Sequence, residues 1–213
     1  MIMGAGSLEE RVARMRRERG LLTPGELMDL ADQGVVVLDP FSVIVSRRVR
    51  LHPGNVLYPG VVIECDEHSG CLLRRGNVLH GGTLITATGG GVIVIGARSE
   101  IGEGGARIKA AGTDSIELGD ETWLGGGAEV TGSSRIGSGA QVLGQVSARS
   151  VVLAAGHPYG YPDPDGRGGV LKGFGRAQGV RVGVGEVVNG KGDFGDAPVE
   201  RQRAYHPEAP RLG

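Results

Sequence analysis

Aromatic residues and cysteines are scarce in this chain, and no part of it carries an excess of one charge. One Trp, four Tyr and three Phe in 213 residues exclude a large core packed around aromatic rings. Two cysteines cannot form a disulfide framework, so a reduced, intracellular setting is the default. The first residues lack the charged and apolar segments of a secretion signal, and no apolar run reaches the roughly 18 residues of a membrane span. We therefore expect a cytoplasmic protein without a membrane partner.

The 23 basic and 24 acidic residues nearly cancel, and they balance to within one charge in each of the segments 1–34, 35–153 and 154–213. Nucleic-acid-binding proteins usually concentrate positive charge on one face, so we expect no nucleic-acid partner. Glycine, in contrast, is abundant, with 41 of the 213 residues against a usual share of roughly 7%. Because glycine does not recur at every third position, collagen is excluded.

Two short helices are predicted before residue 35. Residues 7–10 (SLEE) and 23–26 (TPGE) both have the Ser/Thr-x-x-Glu pattern of a capping box, and Pro24 suits the first position of a helix. The first helix is expected to end near Gly20 and the second near Gly34, where glycine can adopt a left-handed conformation. Residues 1–34 are too few to fold alone, so we predict a helical cap that covers the end of the next domain.

From Val45 onward, apolar residues recur at every sixth position. A period of six fits neither an amphipathic helix nor a simple alternating strand, but it is the hexapeptide repeat of β-helices. Each hexad supplies a short strand and a turn, with the apolar residue pointing inward. The repeated positions are Val45, Leu51, Leu57 and Ile63; Leu73, Leu79 and Ile85; Ile95 and Ile101; and Leu118, Leu124, Val130, Ile136 and Val142.

The repeat predicts an all-β solenoid, a parallel β-helix of about six coils over residues 35–153 and roughly 30 Å tall. A β-sandwich with glycine turns is the alternative, but sandwich strands do not keep a six-residue register over five units. The spacing is interrupted between Ile63 and Leu73, between Ile85 and Ile95, and near Arg107–Ser115. Each interruption is a candidate loop that leaves the coil. Residues 154–213 lack the repeat and are predicted to form an irregular C-terminal extension.

Two passages resemble the left-handed β-helix transferases with hexapeptide repeats. Residues 34–40 (GVVVLDP) and 51–63 (LHPGNVLYPGVVI) are most similar to the entrance of the β-helix in the acetyltransferase half of bifunctional N-acetylglucosamine-1-phosphate uridyltransferase. The resemblance covers about residues 8–64 and includes the helices before the coil. It implies a left-handed coil, a homotrimer, and acetyl-CoA or another acyl-CoA as cosubstrate in the groove between neighbouring subunits.

Other parts of that enzyme have no counterpart in this sequence. The 34 residues before the predicted coil are too few for its nucleotidyltransferase domain, so we expect no counterpart of that domain in these 213 residues. Its catalytic pattern of a histidine followed by a tyrosine three residues later is not found in residues 155–161. Here residues 155–161 read AGHPYGY, with tyrosines two and four residues after the histidine. Glucosamine phosphate is therefore not implied as the substrate.

Reactive side chains are concentrated after residue 153. Acyl transfer from a thioester needs a base and donors for the developing oxyanion. His157 is the predicted base because imidazole titrates near neutral pH, and the alternative is that His157 and Pro158 only begin a capping loop. Basic residues between 167 and 176 are expected to hold a phosphate or carboxylate, with ordinary surface charge as the alternative. The predicted substrate- or cofactor-binding residues are Tyr159, Tyr161, Asp163, Arg167, Lys172, Arg176 and Asn189.

Several other motifs are weaker. Residues 65–71 (CDEHSGC) place two thiols and an imidazole in one loop, but no second pair of ligands completes a zinc site, so no metal is expected. His52 and His80 fall at turn positions, although His80 could face a groove between subunits. Residues 185–192 (GEVVNGKG) lack the Ser or Thr of a phosphate-binding P-loop. Residues 4–6 (GAG) follow no strand and are not a dinucleotide fingerprint.

The function predicted first is acyl transfer from acetyl-CoA to an amine or hydroxyl of a sugar-like or small polar metabolite at a trimer interface. Two alternatives stay open. One is a non-catalytic β-helix that binds a sugar nucleotide or a protein partner through residues 154–213. The other is a β-helix enzyme of different chemistry, such as a lyase or an isomerase.

Overall fold

The computed structural model describes residues 7–212, so the predictions made for residues 1–6 lie outside it. Both predicted capping boxes are present: the hydroxyls of Ser7 and Thr23 each accept a hydrogen bond from the backbone three residues on. They begin α1 (Leu8–Glu18) and α2 (Pro24–Asp29), and a 3₁₀ turn (Leu30–Gln33) follows α2. Gly34 ends this segment at φ 75°, as predicted. No helix within the described range is long and apolar enough to cross a membrane.

Parallel strands then wind around three faces, which confirms the predicted parallel β-helix. Face 1 contains β1 (Val36–Val37), β4 (Val56–Leu57), β7 (Val78–Leu79), β10 (Glu100–Glu103) and β13 (Trp123–Gly125). Face 2 contains β2 (Ile44–Val45), β5 (Val62–Cys65), β8 (Thr83–Thr88), β11 (Ala106–Ala111) and β14 (Ala128–Thr131). Face 3 contains β3 (Arg50–Leu51), β6 (Gly70–Leu73), β9 (Val92–Ile95), β12 (Ser115–Leu118), β15 (Ser134–Ile136), β17 (Val152–Leu153) and β19 (Arg181–Val182). Three longer strands, β16 (Gln141–Arg149), β18 (Val170–Gln178) and β20 (Glu186–Asp193), complete faces 1 and 2.

The apolar residues of the hexads form the core, as the repeat predicts. On face 1, five of them lie in register one above another and are fully buried: Leu57, Leu79, Ile101, Leu124 and Val142. Each layer therefore contributes a small side chain to a narrow interior, which explains why few aromatic residues are needed.

Where the six-residue repeat is interrupted, the strands on faces 2 and 3 are longer and the chain stays in the coil. The prediction that loops leave the coil at these points is therefore wrong. Between Ile63 and Leu73 the chain forms β5, a four-residue corner and β6. Each strand gains two residues, which keeps the inward–outward alternation and adds one more inward side chain per strand. These extra inward residues are Cys65, Ala87 and Ala110 on face 2, and Cys71, Ile93 and Ile116 on face 3.

The coil continues well beyond residue 153, so the prediction of an irregular extension is wrong for residues 170–193. Strand β18 pairs with β16 over nine residues, β20 pairs with β18, and β19 pairs with β17. The structure therefore has seven coils of three faces and part of an eighth. The repeat is hard to read here because β16, β18 and β20 run from face 1 to face 2 in one strand, through Gly144, Gly173 and Gly190 in register.

Irregular structure is confined to two segments of this region. The loop of residues 154–169 connects β17 to β18, and the C-terminal tail of residues 194–212 returns along face 1. The tail contains β21 (Val199–Arg201), which pairs antiparallel with β20, and a 3₁₀ turn (Gln202–Tyr205). At its start, Phe194 is almost fully buried among the last core residues.

Candidate functional site

A pocket of about 110 Å³ lies on the outside of face 1, between the last coils and the tail; we call it the C-terminal pocket. Because Val142 and Leu171 point into the core, their neighbours in the strands point outward into the pocket. The loop and the tail provide the other walls. The lining residues are Gln141, Leu143, Val170, Lys172 and Val187 from the strands, Tyr159 and Arg167 from the loop, and Gln202, Tyr205 and His206 from the tail.

The tail is fixed over this part of face 1 by Gln202. Its side-chain nitrogen Nε2 donates to the carbonyl oxygens of Gly168 (2.7 Å) and Glu186 (3.1 Å). Val170 and Val187 point outward and are nevertheless buried, although neither belongs to the interior core. The tail therefore turns an open sheet face into a pocket.

The C-terminal pocket is rich in positive charge and aromatic rings. Arg167 is 9% exposed, and its Nε donates to the carbonyl of Tyr161 at 2.7 Å. Within residues 7–212 its two terminal nitrogens have no hydrogen-bond partner. The Lys172 ammonium lies 3.8 Å from the centre of the Tyr205 ring. Among residues 7–212, no carboxylate lines the pocket, so the site suits an anion.

Asn189 lies next to this pocket rather than in it. It is the register neighbour of Lys172 on β20. The hydroxyl of Tyr205, in the pocket wall, donates to Glu200 at 2.5 Å. The bond to Glu200 raises the pKa of Tyr205 above its ordinary value, so the ring stays neutral beside Lys172.

Asp163 holds the tail and does not line the pocket. Its buried carboxylate accepts hydrogen bonds from the backbone of Leu212 (2.7 Å) and Asp165 (3.0 Å), and from the guanidinium of Arg203. The backbone of Leu212 contributes most to holding the pKa of Asp163 below its usual value. Arg203 also donates to Asp165 at 2.6 Å, so one arginine joins the loop to the tail.

The predicted base, His157, lies outside the pocket. Its ring is exposed and stacks on the ring of Tyr161, with 3.8 Å between the ring centres. Its backbone bonds to Gly166 and Gly168 close the loop. Arg176 also lies elsewhere, on face 2 opposite Asp193. Of the eight residues predicted from the sequence, the structure brings three into the pocket: Tyr159, Arg167 and Lys172.

A second pocket, of about 270 Å³, extends the site along face 1. It shares Gln141 and Tyr159 with the C-terminal pocket and reaches Trp123 and Glu100 on the earlier coils. The rings of Trp123 and Tyr159 lie 5.6 Å apart between their centres. We call the two pockets together the face 1 groove.

An imidazole–carboxylate pair stands at the far end of this groove. Nε2 of His80 lies 3.0 Å from Oε1 of Glu100, and the imidazole is 5.1 Å from the ring of Tyr58. The sequence predicts a turn position for His80, with a groove between subunits as the alternative, and it does not indicate Glu100 as the partner. The pairing depends on a coil length of 22 residues, which sets Val78 beside Glu100, and six-residue counting does not give this length.

The two thiols of residues 65–71 face the interior, whereas the side chain of His68 is exposed next to Glu67. Burial raises the pKa of Cys71 to about 12 and raises that of Cys65 as well. The loop therefore does not bring the imidazole and thiols together. In the part of the chain that the structure describes, no three His, Cys, Asp or Glu side chains are grouped so that they could hold a metal ion.

Comparison with known proteins assigns no family. No protein-family model matches this chain, and no curated protein matches it. The resemblance to the hexapeptide-repeat transferases therefore stays a prediction from the sequence.

Proposed function

We propose that this protein is an acyltransferase that uses an acyl thioester such as acetyl-CoA and binds its substrates along the face 1 groove. The observation that carries the proposal is the position of the His80–Glu100 pair on the same face as a pocket with two cations and two tyrosine rings. One end of the groove supplies a base, and the other supplies the recognition of an anion.

His80 is the base in this proposal. A carboxylate bound to one imidazole nitrogen fixes the tautomer and orientation of the ring, so the other nitrogen can accept a proton. It takes the proton of the acceptor's amine or hydroxyl while that group attacks the thioester carbonyl. The carbon–sulfur bond then breaks, and the thiolate leaves with the proton that His80 returns.

Arg167 and Lys172 bind the phosphates of the donor or an anionic acceptor, and the rings of Tyr159 and Tyr205 pack against its planar part. Glu100 and Lys172 lie on coils four and seven, which are three strand spacings or about 14 Å apart. An extended ligand is therefore needed to reach both ends. The homotrimer implied by the resemblance belongs to this proposal, with a neighbouring subunit closing the open side of the groove.

The test is release of free CoA from acetyl-CoA with a panel of amino sugars and small polar amines and alcohols. His80→Gln should lower kcat by about 100-fold or more, in the range of general-base catalysis, while the KM for acetyl-CoA changes little. Arg167→Gln should mainly raise that KM. His68→Gln, an exposed histidine far from the groove, is the matched control.

Two results would count against this assignment. The acyl-transfer proposal fails if calorimetry detects binding of neither acetyl-CoA nor CoA. If His157→Ala abolishes turnover while His80→Gln retains it, the base is the residue expected from the sequence and the role given to His80 is wrong.

A second candidate is a binding protein without turnover, for a sugar nucleotide. It is favoured by the C-terminal pocket itself, which combines cations and aromatic rings, while its Lys172 lies four coils away from the oriented imidazole of His80. In that case a nucleoside diphosphate sugar should bind to the wild type and to His80→Gln with equal affinity, and no acyl transfer should be measurable. Arg167→Gln should weaken this binding.

A further inference from the structure

A separate open groove of about 540 Å³ lies on face 3, near the N-terminal end of the coil. Its floor is aliphatic: Leu72 and Val94 are register neighbours that point outward, and Val92 lies beside them. Val92 is 40% exposed, and its register neighbour is Gly70, whose missing side chain leaves this part of the floor open. The groove as a whole runs over β3, β6 and β9, which is two strand spacings or about 9.6 Å.

Arginines form the rim of this face 3 groove. Arg48 and Arg50 are exposed, and within residues 7–212 neither side chain has an ion-pair or hydrogen-bond partner. Arg47, in contrast, is bound by the carboxylate of Glu26 at 2.6 Å. In the described part of the chain, no acidic side chain lines the groove, although the protein as a whole has a net charge of −1.

The two ends of the groove differ. Arg50 lies one coil below Leu72, so the free cations border one end of the aliphatic floor. Glu117 lies one coil beyond Val94, and its charge is already matched by Arg135 at 3.6 Å. A ligand that fits this surface carries its negative charge at the N-terminal end and an apolar body along the floor.

We infer that the face 3 groove binds a phosphate ester with an aliphatic body. Arg48, in the turn before β3, and Arg50, the first residue of β3, both line this groove, so two guanidinium groups can hold one dianionic phosphate through paired N–H donors. The hydrocarbon part covers Leu72, Val92 and Val94 and removes them from water. This inference does not depend on the function proposed for face 1.

Calorimetry with hexyl phosphate, inorganic phosphate and hexanol tests the inference. Hexyl phosphate should bind at least about tenfold more tightly than either other probe, because only it uses both the cations and the floor. The double substitution R48Q/R50Q should weaken hexyl phosphate binding about tenfold or more. R181Q is the matched control, since Arg181 is an exposed arginine in the same outward column of face 3 on its last strand, and it should bind like the wild type.

A substitution in the floor separates the two parts of the site. Leu72→Asn should reduce the affinity for hexyl phosphate to that for inorganic phosphate and leave the latter unchanged. Circular dichroism establishes that each variant is folded. Vesicles of phosphatidylcholine with and without phosphatidic acid distinguish the source of the phosphate ester. Vesicle binding that depends on both arginines and on phosphatidic acid identifies a lipid headgroup. Binding of hexyl phosphate without binding to vesicles identifies a soluble ligand.

Three results would overturn the inference. The first is equal affinity of the wild type for hexyl phosphate and inorganic phosphate, which removes the role of the floor. The second is an equal loss of binding in R181Q, which makes the effect one of overall charge. The third is a change of sedimentation in R48Q/R50Q while ligand binding persists, which identifies the surface as a contact between subunits.

Discussion

Replacing Asn77 by alanine should destabilise the protein by about 2 to 6 kcal/mol. Asn77 is fully buried, and its side chain joins two turns of the coil. Oδ1 accepts from the backbone N–H of Ser99 at 2.8 Å, and Nδ2 donates to the carbonyl of Arg74 at 2.8 Å. Alanine leaves both backbone groups without a partner, and each such group costs about 1–3 kcal/mol when it is buried.

The bond to Ser99 belongs to a buried polar ladder that crosses four coils. Oδ1 of Asn55 accepts from the backbone of Asn77 at 3.0 Å, and the Ser99 hydroxyl accepts from the backbone of Thr122 at 3.1 Å. Removing Asn77 therefore interrupts the ladder in its middle, and the coils on either side lose a specific connection.

Urea unfolding followed by circular dichroism measures this loss as a lower midpoint with an unchanged slope. Asn189→Ala is the control of the same residue type, because Asn189 is exposed on the outside of β20 and should cost less than about 1 kcal/mol. Equal midpoints for the two variants would refute the assignment of the ladder as a major contribution to stability.

Three further predictions concern other parts of the chain. Gly173→Ala should lower the free energy of unfolding in urea by about 2 to 5 kcal/mol, because at φ 120° the added carbon would lie 2.0 Å from the carbonyl oxygen of Gly190. In the control Gly179→Ala the added carbon meets no atom within 4 Å, so the loss of stability should be clearly smaller. Similar losses in the two variants would contradict the packing argument. Because the pKa of Asp163 is lowered in the folded protein, its carboxylate stabilises the folded state at pH values above the ordinary aspartate pKa near 3.9, and this stabilisation is lost as the pH falls through the lower folded pKa. The urea midpoint of the wild type should therefore drop on acidification by more than that of Asp163→Asn. Parallel curves of midpoint against pH would refute this. The raised thiol pKa of Cys71, about 12, predicts no rapid reaction with a chromogenic disulfide near neutral pH until the protein is unfolded, and a fast native phase would show that the thiol is accessible.

Much of the fold could be predicted because it depends on local patterns. The capping boxes of Ser7 and Thr23 are each visible within four residues of sequence. The inward direction of the hexad residues, such as Leu57, Leu79 and Val142, follows from the six-residue spacing alone. The lengths of the coils could not be predicted in this way. Around Cys65 and Cys71, two neighbouring strands each have two extra residues. These residues preserve the alternation of inward and outward side chains but disturb the six-residue count, so in the sequence they resemble a loop.

The candidate site was predictable only in part. Arg167, Lys172 and Tyr159 stood out as reactive residues near one another in the sequence, and the structure places them in one pocket. Tyr205 and His206 were missed because the tail returns to face 1 through contacts such as those of Gln202, which no spacing indicates. His80 was undervalued because its partner, Glu100, is one coil away.

The sequence by itself determined that the chain forms a coil with a thin aliphatic interior, because the apolar residue of each hexad marks the side chain that points inward. Only the tertiary structure decided which outward side chains become neighbours. That choice depends on the number of residues in each coil and on where the tail lies, because residues 20 or more positions apart meet only when whole coils are stacked in register.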